Sequence, residues 1–563
     1  MTASIVQDLF LGTLDPEALL PYPFLDAEQA ELTAMFRDAF QRFAADQIDA
    51  EAIDQAHSIP TAVIDGLAEL GLFGMRIPEE HGGLDLNATQ YCRVGVDLSV
   101  ADGAVAILSG GHSTIGIKSV LLAGTDEQKA RYLPKLATGE LKAAFALSEP
   151  GAGSDAQSLK CTARLTEDGK HYVVNGEKLW ITNGGLADLV TLFVRTPDHE
   201  RDDGRPSITC LLVERGMGFE PGKEEEKLGI RGSSTVPLLF EDVKVPVENV
   251  VGEVGEGFRL ALQILNTGRT GLASGCLGAS RYLLEQTAAY TSERHQFGRP
   301  IGEFQLIQEK LGRMAQDIHA LECMVFFTTG LADRHGIDLP LESALCKVFG
   351  TEVLWSVVND AVQCAGGNGF TTDYPFERML RDARVNMIFE GTNEILRIMV
   401  STSGLREVGK RLAGGAPGRD DPYGRILSGA EAPDPLPVPD ALRAESLALS
   451  MAVSELSVAA GKAVQQHGKA LREEQLVAAA LTDLALCTYG QAAVLSRAAT
   501  LAAQDGFPAE SLEQELLLAQ GACRRLARQG RKASESLRDN DHPILLKTAG
   551  LVTRLGGMPG ERI

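Results

Sequence analysis

The chain has 563 residues, 44% of them hydrophobic, and a formal net charge of −23 from 53 Lys and Arg against 76 Asp and Glu. That length calls for several domains, and the acidic balance opposes attraction to phosphate backbones, which excludes nucleic acid as a partner. The nine scattered cysteines form no C-x-x-C pair, so we expect neither a disulfide framework nor a metal site.

The amino-terminal stretch MTASIVQDLFLG has no basic region and no Arg-rich transit pattern. No apolar run approaches the roughly 18–20 residues of a membrane span, so we expect a cytoplasmic protein. From about Ala27 to Thr138, apolar residues recur at intervals of three and four, which predicts helices. Their apolar positions are Leu32, Met35, Phe36, Phe40, Phe43, Ile64, Leu67, Leu70 and Leu72.

From about Phe145 to Val251 the pattern changes to short β-branched or alternating runs such as HYVV, LVTLFV and ITCLLV, which predict strands. Asn175–Gly176 separates two of these runs and predicts a hairpin turn, because both residues tolerate positive φ. From Gly257 to about Leu405 long helical periodicity returns.

The segment from Ala413 to Asp440 concentrates Gly, Pro and Asp, which predicts a linker. A smaller Ala- and Leu-rich helical unit follows it. We therefore predict five parts: a helical domain (1–140), a β domain (141–250), a helical bundle (251–405), a linker (406–440) and an extra helical domain (441–563). The fold class is α+β and mainly α.

A glycine-rich loop, 145-FALSEPGAGSD-155, contains Gly151 and Gly153 and, with Ala156 just after it, matches the G-x-G-x-x-A pattern of dinucleotide-binding turns. A Rossmann turn opens a helix in a parallel βαβ unit, whereas the residues after this loop predict antiparallel strands. The loop is therefore either a plain turn or a different kind of ligand-binding loop.

Four further motifs carry polar or flexible groups: 180-WITNGG-185, 293-ERHQFGRPIGEFQLIQ-308, 363-QCAGGNGF-370 and 388-IFEGTNEIL-396. Arg294 and Gln296 beside Phe297 could meet phosphate oxygens and an aromatic ring. Each motif also has an ordinary explanation, such as a core Trp, a solvated Arg or a helix N-terminal Glu. All five in this order, across a chain of helices, strands and helices, are hard to assign to chance.

With these five motifs the chain resembles the acyl-CoA dehydrogenases, most closely the very-long-chain branch, and the resemblance is nearly complete in coverage. It implies the acyl-CoA dehydrogenase fold and FAD as cofactor. It further implies dehydrogenation of a long-chain or very-long-chain acyl-CoA to a trans-2-enoyl-CoA in fatty acid β-oxidation. The implied base is Glu390, whose pKa the bound acyl chain and Phe389 should raise by excluding water.

The resemblance also assigns the binding residues, with the adenine end of the flavin held by a neighbouring subunit. The flavin contacts it implies are Phe145, Leu147, Ser148, Gly153, Ser154, Trp180, Thr182, Arg294, Gln296, Phe297, Gln305, Gln363, Gly366, Gly367, Thr392 and Glu394. The implied substrate contacts are Ser154, Asn266, Arg269, Phe389 and Gly391, with Ala106 and Gly110 at the floor of the acyl pocket. Two small residues four apart on one helical face predict an open channel, although close helix packing would also favour them.

For partners the resemblance implies a homodimer and electron transfer flavoprotein as electron acceptor. The region that docks this flavoprotein in the family matches Leu70, Leu72, Phe73, Met75 and Ile77. These side chains could equally be ordinary helix core. Very-long-chain relatives carry an amphipathic membrane-binding segment in this region, which is shortened here to a Pro- and Asp-rich linker. We therefore expect membrane contact to be weak or absent. An acyl-CoA oxidase and a flavin-binding non-catalytic scaffold are the rival functions; the net charge argues against a DNA-associated relative and the intact Glu390 against a scaffold.

Overall fold

The computed structural model describes residues 4–414, 424 and 431–558. Fifteen of the 35 residues of the predicted linker (406–440) therefore lie outside the described residues, and its first residues, 406–413, belong to the helix Asn393–Ala413. The chain divides into two compact units, one formed by Pro23–Asn393 and the other by Met1–Tyr22 with Glu394–Ile563. The amino-terminal segment thus groups with the carboxy-terminal helices.

Helices open the Pro23–Asn393 unit, and polar caps fix where several of them begin. The side chains of Asp26, Asn87 and Thr125 each accept a hydrogen bond from the backbone N–H of the Gln three residues later. The side chain of that Gln accepts in turn from the backbone N–H of the capping residue, so both N–H groups are satisfied. The helices are α3 (Ala27–Gln47), α4 (Ala50–Ala56), α5 (Thr61–Glu69), α6 (Ala88–Ala101), α7 (Gly103–Gly110), α8 (Lys118–Ala123) and α9 (Asp126–Ala137). A π-helix, Gly111–Gly116, continues α7.

An eight-stranded sheet follows, ordered β6-β7-β3-β2-β4-β5-β8, with β1 pairing in parallel with β4. Its strands are β1 (Ala143–Ala146), β2 (Thr162–Leu165), β3 (His171–Thr182), β4 (Leu189–Arg195), β5 (Ile208–Glu214), β6 (Glu220–Pro221), β7 (Thr235–Pro246) and β8 (Val250–Val251). Successive side chains of β4 and β5 alternate between two cores: Leu189 and Phe193 pack with helix residues, whereas Val190 and Leu192 pack with β3 and β7. Burial on both faces explains why these strands read as continuous apolar runs.

The predicted hairpin at Asn175–Gly176 is wrong. β3 runs straight through both residues and pairs with β7 on either side of a register shift between Val174 and Gly176. The irregularity is a β-bulge: the Asn175 side chain exchanges hydrogen bonds with Asp242, and a Cβ on Gly176 would lie 2.8 Å from Cys161. Asn175 and Gly176 therefore form a bulge within one long strand.

Long helices complete this unit: α10 (Gly257–Glu293), α11 (Gln305–His335), α12 (Pro340–Ala365), α13 (Gly367–Phe370) and α14 (Phe376–Ala383). A two-stranded ribbon, β9 (His295–Gln296) and β10 (Arg299–Pro300), links α10 to α11. α10 packs against both α6 and α12. It approaches α6 closely through glycine, since a Cβ on Gly278 would lie 2.1 Å from the carbonyl oxygen of Val96.

The second unit contains α1 (Ile5–Phe10), α2 (Pro16–Leu19), most of α15 (Asn393–Ala413), α16 (Arg443–His467), α17 (Gln475–Ala502), α18 (Ala509–Arg538) and α19 (His542–Leu555). α17 is its centre, buried between α16 and α18. Hydrogen bonds tie the amino-terminal segment and α15 to α17: Tyr22 N–H donates to Thr500 at 2.8 Å, and the Arg397 guanidinium bonds Asp483 at 2.7 Å.

Among the described residues, three helical segments reach the length and mean hydropathy of a membrane span: Gly103–Ala123, Asp440–Arg472 and Gln475–Ala502. The expectation that no apolar stretch approaches that length is therefore wrong. Packing explains the composition best in Gln475–Ala502, where 83% of the most apolar window is buried inside the protein.

The predicted docking set for an electron-transfer partner is also wrong as an exposed patch. Leu72, Phe73, Met75 and Ile77 are each 0% exposed, and only Leu70 is half-buried. These side chains form core beneath α5, which is the ordinary reading of their apolar spacing. All nine cysteines are buried, and none forms a disulfide.

Candidate active site

The residues 389–391 form a tight loop between a 3-10 turn (Arg384–Met387) and α15. Glu390 has φ of 58° and Gly391 has φ of 91°, so two consecutive residues adopt the left-handed region. That conformation is uncommon for a residue with a Cβ and persists only where its surroundings enforce it. It directs the Glu390 side chain into a cavity.

This cavity, of about 90 Å³, lies between α6, α7 with its π-helical continuation, α10 and the Glu390 loop. Of the residues predicted from the sequence, the structure brings five to its wall: Ala106, Gly110, Thr182, Phe389 and Glu390. A Cβ on Gly110 would meet nothing within 4 Å, so its missing side chain leaves open space. The wall is otherwise mostly small or apolar, which suits an acyl chain.

The Glu390 carboxyl is desolvated, and its Oε2 atom is buried without a hydrogen-bond partner among the described residues. Burial raises the pKa of Glu390, while the nearby charges of Arg269 and Lys347 act in the opposite direction. A buried carboxylate with an unused oxygen facing an apolar cavity can take a proton from whatever occupies that cavity.

Two buried cations hold the loop. Arg269 Nε donates to the Glu390 carbonyl at 3.3 Å and Arg269 also bonds the Asn266 side chain at 3.0 Å. Lys347 Nζ donates to the Gly391 carbonyl and to Asn393 Oδ1, both at 2.8 Å. Burial lowers the pKa of Lys347 to about 8. The structure thus places Arg269 in contact with the Glu390 loop and Asn266 in contact with Arg269, whereas the resemblance implied both as substrate contacts.

The glycine-rich loop leads into a short 3-10 turn and the antiparallel pair β2–β3, which confirms that it is not a Rossmann turn. Its conformation depends on a buried ion pair: Lys178 Nζ bonds Glu149 at 2.7 Å and the Leu147 carbonyl at 3.0 Å. Glu149 also accepts from the Lys160 and Cys161 backbone. Leu147 is buried, so this part of the loop offers mainly backbone groups to a ligand.

Further along the loop, Gly153 and Ser154 are exposed, and a Cβ on Gly153 would meet nothing within 4 Å. Phe145 and Ser148 are half-buried, and the Phe145 ring packs 5.0 Å from that of Phe193. Trp180 has φ of 57° and is 59% exposed, two residues before Thr182 on β3.

The remaining predicted cofactor residues lie outside the cavity wall and form exposed groups at the end of α10 and around α13. Tyr290 joins these groups, because its hydroxyl donates to the Ala365 carbonyl and accepts from Asn368. Phe297 is 94% exposed with φ of 52°. The other exposed members are Arg294, Gln296, Gln305, Gln363, Gly366, Gly367 and, at the start of α15, Glu394; Thr392 is half-buried.

The sequence reasoning missed Lys347, Lys178 and Gly268. Lys347 is 0% exposed within the apolar run of α12, and a lone lysine in such a run is a signal that could have identified it. Gly268 lies against Glu390: a Cβ there would be 3.0 Å from Glu390 Oε2. Nothing in the sequence marks this glycine, because the contact joins residues from distant segments.

Comparison with known proteins follows the same order of domains. The chain matches "Acyl-CoA dehydrogenase, N-terminal domain" over residues 30–140, the middle domain over 144–243 and the C-terminal domain over 255–405. Residues 440–547 match "ACAD9/ACADV, C-terminal domain".

Individual proteins agree. The very long-chain specific acyl-CoA dehydrogenase of Macaca fascicularis is 39% identical, over 87% of this chain and 78% of that protein. The crystal structure of an acyl-CoA dehydrogenase complexed with FAD from Bacillus anthracis superimposes with a TM-score of 0.84 at 32% identity, covering 96% of this chain and 94% of that one. Butyryl-CoA dehydrogenase from Megasphaera elsdenii covers 68% of this chain and 99% of its own, with a TM-score of 0.64 and 33% identity. Matches to the N-terminal, middle and C-terminal acyl-CoA dehydrogenase domains, together with 39% identity to a relative, show that the chain belongs to the acyl-CoA dehydrogenase family of oxidoreductases.

Proposed function

We propose that the protein dehydrogenates long-chain or very-long-chain acyl-CoA to trans-2-enoyl-CoA, as a step of fatty acid β-oxidation, with Glu390 as the base. The observation that carries this proposal is the free, buried Oε2 of Glu390 at the wall of a mostly apolar cavity. Removing an α-proton needs a carboxylate of raised pKa in a water-excluded site, and desolvation raises the pKa of this one.

The residues around the cavity fit FAD as the cofactor. The open space beside Gly153, the exposed Trp180 indole and the half-buried Thr182 would hold it at one end of β3. FAD, when bound, supplies the acceptor for the hydride that leaves the β-carbon. The chain's own residues then bind the thioester, exclude water and hold the proton at Glu390; the Glu390 backbone N–H is available to polarise the thioester carbonyl.

Ala106 and Gly110 support the choice of a long chain. Both lie at the cavity wall, on one face of α7, and neither closes it. Burying each additional methylene of the acyl chain contributes up to about 0.8 kcal/mol, so extra length in an open channel favours binding.

We further propose that the enzyme is a homodimer in which each subunit completes the other's cofactor site, and that electron transfer flavoprotein is its electron acceptor. The exposed groups near α13 support the dimer, since Phe297, Leu306 and Phe370 are 94%, 80% and 84% exposed. Large apolar side chains so exposed indicate a surface that another chain covers. Replacing Phe297 with Ser should weaken dimerisation in light scattering and lower flavin content together.

The decisive experiment is Glu390→Gln. This variant should keep its flavin and bind palmitoyl-CoA but reduce its flavin at least about a hundredfold more slowly, because only the proton acceptor is removed. Glu285→Gln, which changes an exposed carboxylate on α10, is the matched control. Rapid bleaching of the flavin by substrate in Glu390→Gln would overturn the assignment, and oxygen consumption during turnover would favour an acyl-CoA oxidase.

A further inference from the structure

A second cavity, of about 70 Å³, adjoins the one at Glu390. The two cavities have five wall residues in common, Ser99, Ala106, Ile107, Leu272 and Gly275. The shared wall residues place the two cavities next to each other, and we call this adjacent pair the channel; Glu390 lines one end of it and Tyr282 lines the other.

One face of α10 follows this channel from end to end. Gly268 lies beside the base and Tyr282 at the far cavity, fourteen residues apart on the helix, which corresponds to ~21 Å at 1.5 Å per residue. The acyl chains of a membrane leaflet occupy about half of a hydrocarbon core roughly 30 Å thick. The channel is therefore long enough for a complete fatty acyl chain of the length found in membrane lipids. Between the two ends, α10 contributes the small residues Gly271, Gly275 and Ala279 to the wall, together with Leu272 and Cys276.

The far end of the channel is polar. Asp102, Arg378 and Asp382 all line the second cavity, with side chains 4%, 12% and 16% exposed. Arg378 Nη1 lies 3.7 Å from Asp102 Oδ2 and 3.6 Å from Asp382 Oδ2, and both distances are longer than a hydrogen bond. The other oxygens are used, since Asp102 Oδ1 accepts from the Val105 backbone and Asp382 Oδ1 from that of Ile230.

Building on the proposed dehydrogenase function, we propose that the enzyme also acts on long acyl-CoA chains whose terminal carbon carries a hydroxyl, and that Asp102, Arg378 and Asp382 recognise this group. A hydroxyl both donates and accepts. It can donate to a carboxylate oxygen and accept from the guanidinium, whose ion-pair contacts with both carboxylates are longer than a hydrogen bond. The oxidation itself is unchanged: a proton leaves the α-carbon and a hydride leaves the β-carbon, at the opposite end of the chain.

The charges of the cluster favour a hydroxyl over the alternatives. Two carboxylates face one guanidinium, and burial raises the pKa of both, that of Asp382 to about 6. Behind them, Asp54 is bound by Arg381 at 2.7 Å and by Arg231 at 3.3 Å, so these two cations are engaged elsewhere. A terminal carboxylate would add a third negative charge. A terminal methyl would displace water from these charged groups without replacing the hydrogen bonds that the water makes to them.

The test compares 16-hydroxyhexadecanoyl-CoA with palmitoyl-CoA, using the full-length flavin-loaded enzyme and an artificial electron acceptor. We expect kcat/KM to be about tenfold higher for the hydroxylated chain, the effect of one hydrogen bond to a charged group. The control pair is 10-hydroxydecanoyl-CoA and decanoyl-CoA, whose ends stop short of the cluster; here the hydroxyl should give no advantage.

Two variants examine the cluster. Arg378→Met should reduce the preference for the hydroxylated long chain to the value of the short pair. Asp102→Asn should also reduce it while keeping the helix cap, because Asn accepts from the Val105 N–H as Asp does. Equal preference at both chain lengths, or a preference that survives both variants, would overturn the inference. If palmitoyl-CoA were not oxidised at all, the proposed function itself would fail; if it were oxidised without any preference for the hydroxyl, only this inference would fail.

Discussion

Gly268 on α10 and Glu390 on the loop before α15 are in direct contact, since a methyl group on Gly268 would lie 3.0 Å from Glu390 Oε2 and 3.2 Å from Ile115. Glycine at this position therefore leaves room for the base. Glycine inside a helix is otherwise unfavourable by roughly 0.5–1 kcal/mol relative to alanine. The position gives up helix stability for space at the carboxylate.

Gly268→Ala should therefore raise thermal stability slightly while slowing flavin reduction by about tenfold, because even a displacement of a few tenths of an ångström misaligns the base. Gly312→Ala is the matched control: Gly312 is an exposed glycine within α11, and its new Cβ would meet nothing within 4 Å. Stopped-flow reduction and thermal melts measure both effects. Equal rates in the two alanine variants would show that the Gly268 contact does not position the carboxylate.

The pH dependence of flavin reduction should report the ionisation of Glu390. Since burial raises its pKa, activity is present above that pKa and is lost as pH falls through it. Lys347 acts to lower the pKa of Glu390, so Lys347→Met should raise that pKa further and move the acidic limb of kcat/KM to higher pH.

Thr351→Val is the control for this shift. Thr351 accepts from the same Asn393 side chain that Lys347 bonds, but it carries no charge. Its loss should alter the rate without moving the limb. A limb that moves equally in both variants, or toward lower pH in Lys347→Met, would rule out an electrostatic role for the lysine.

Filling the channel at α7 should shorten the preferred substrate. Ala106→Gln with Gly110→Glu places two long polar side chains on one face, and the ratio of kcat/KM for palmitoyl-CoA over octanoyl-CoA should fall by at least about tenfold, given ~0.8 kcal/mol per methylene denied burial. Leu122→Gln, at an exposed position on α8, should leave the ratio unchanged. Equal loss of both activities would contradict the channel.

The buried pair of Lys178 and Glu149 should stabilise the glycine-rich loop, residues 145–155. Lys178→Met leaves the Glu149 charge without its main partner, so we expect a loss of about 3 kcal/mol in unfolding free energy and weaker flavin retention. Adding Glu149→Gln removes the stranded charge and should restore part of the loss, as measured by denaturant titration and flavin absorbance. No recovery in the double variant would mean that packing, rather than charge pairing, is what Lys178 contributes.

Much of this architecture was predictable because it depends on local signals. Periodicity placed α3, and alternation placed the strands, although Leu32 and Met35 are 48% and 66% exposed while Phe40 is buried. Helical spacing thus identified the element but not which face is covered. Asn175–Gly176 misled for a similar reason: a two-residue signal cannot distinguish a turn from a bulge when the partner strand is distant in sequence.

The site was predictable only in part. Glu390 stands in one of the five motifs, the resemblance implied Ala106 and Gly110, and all three meet at one cavity. Lys347 and Gly268 act through contacts across 43 and 122 positions of sequence, measured from Glu390. No local pattern encodes such contacts, because they arise only when α10 and α12 pack around the loop.

Burial shields the cysteines of the folded protein from thiol reagents. Nucleophilic attack also needs the thiolate, and burial raises the pKa of Cys92, Cys276 and Cys346 to about 12. The cysteines are spread through both units, with Cys210 in the sheet and Cys523 on α18. Pulsed alkylation during mild denaturation would therefore record the order in which regions open. Modification of Cys523 ahead of Cys210 would show that the carboxy-terminal helices come apart while the sheet is still closed.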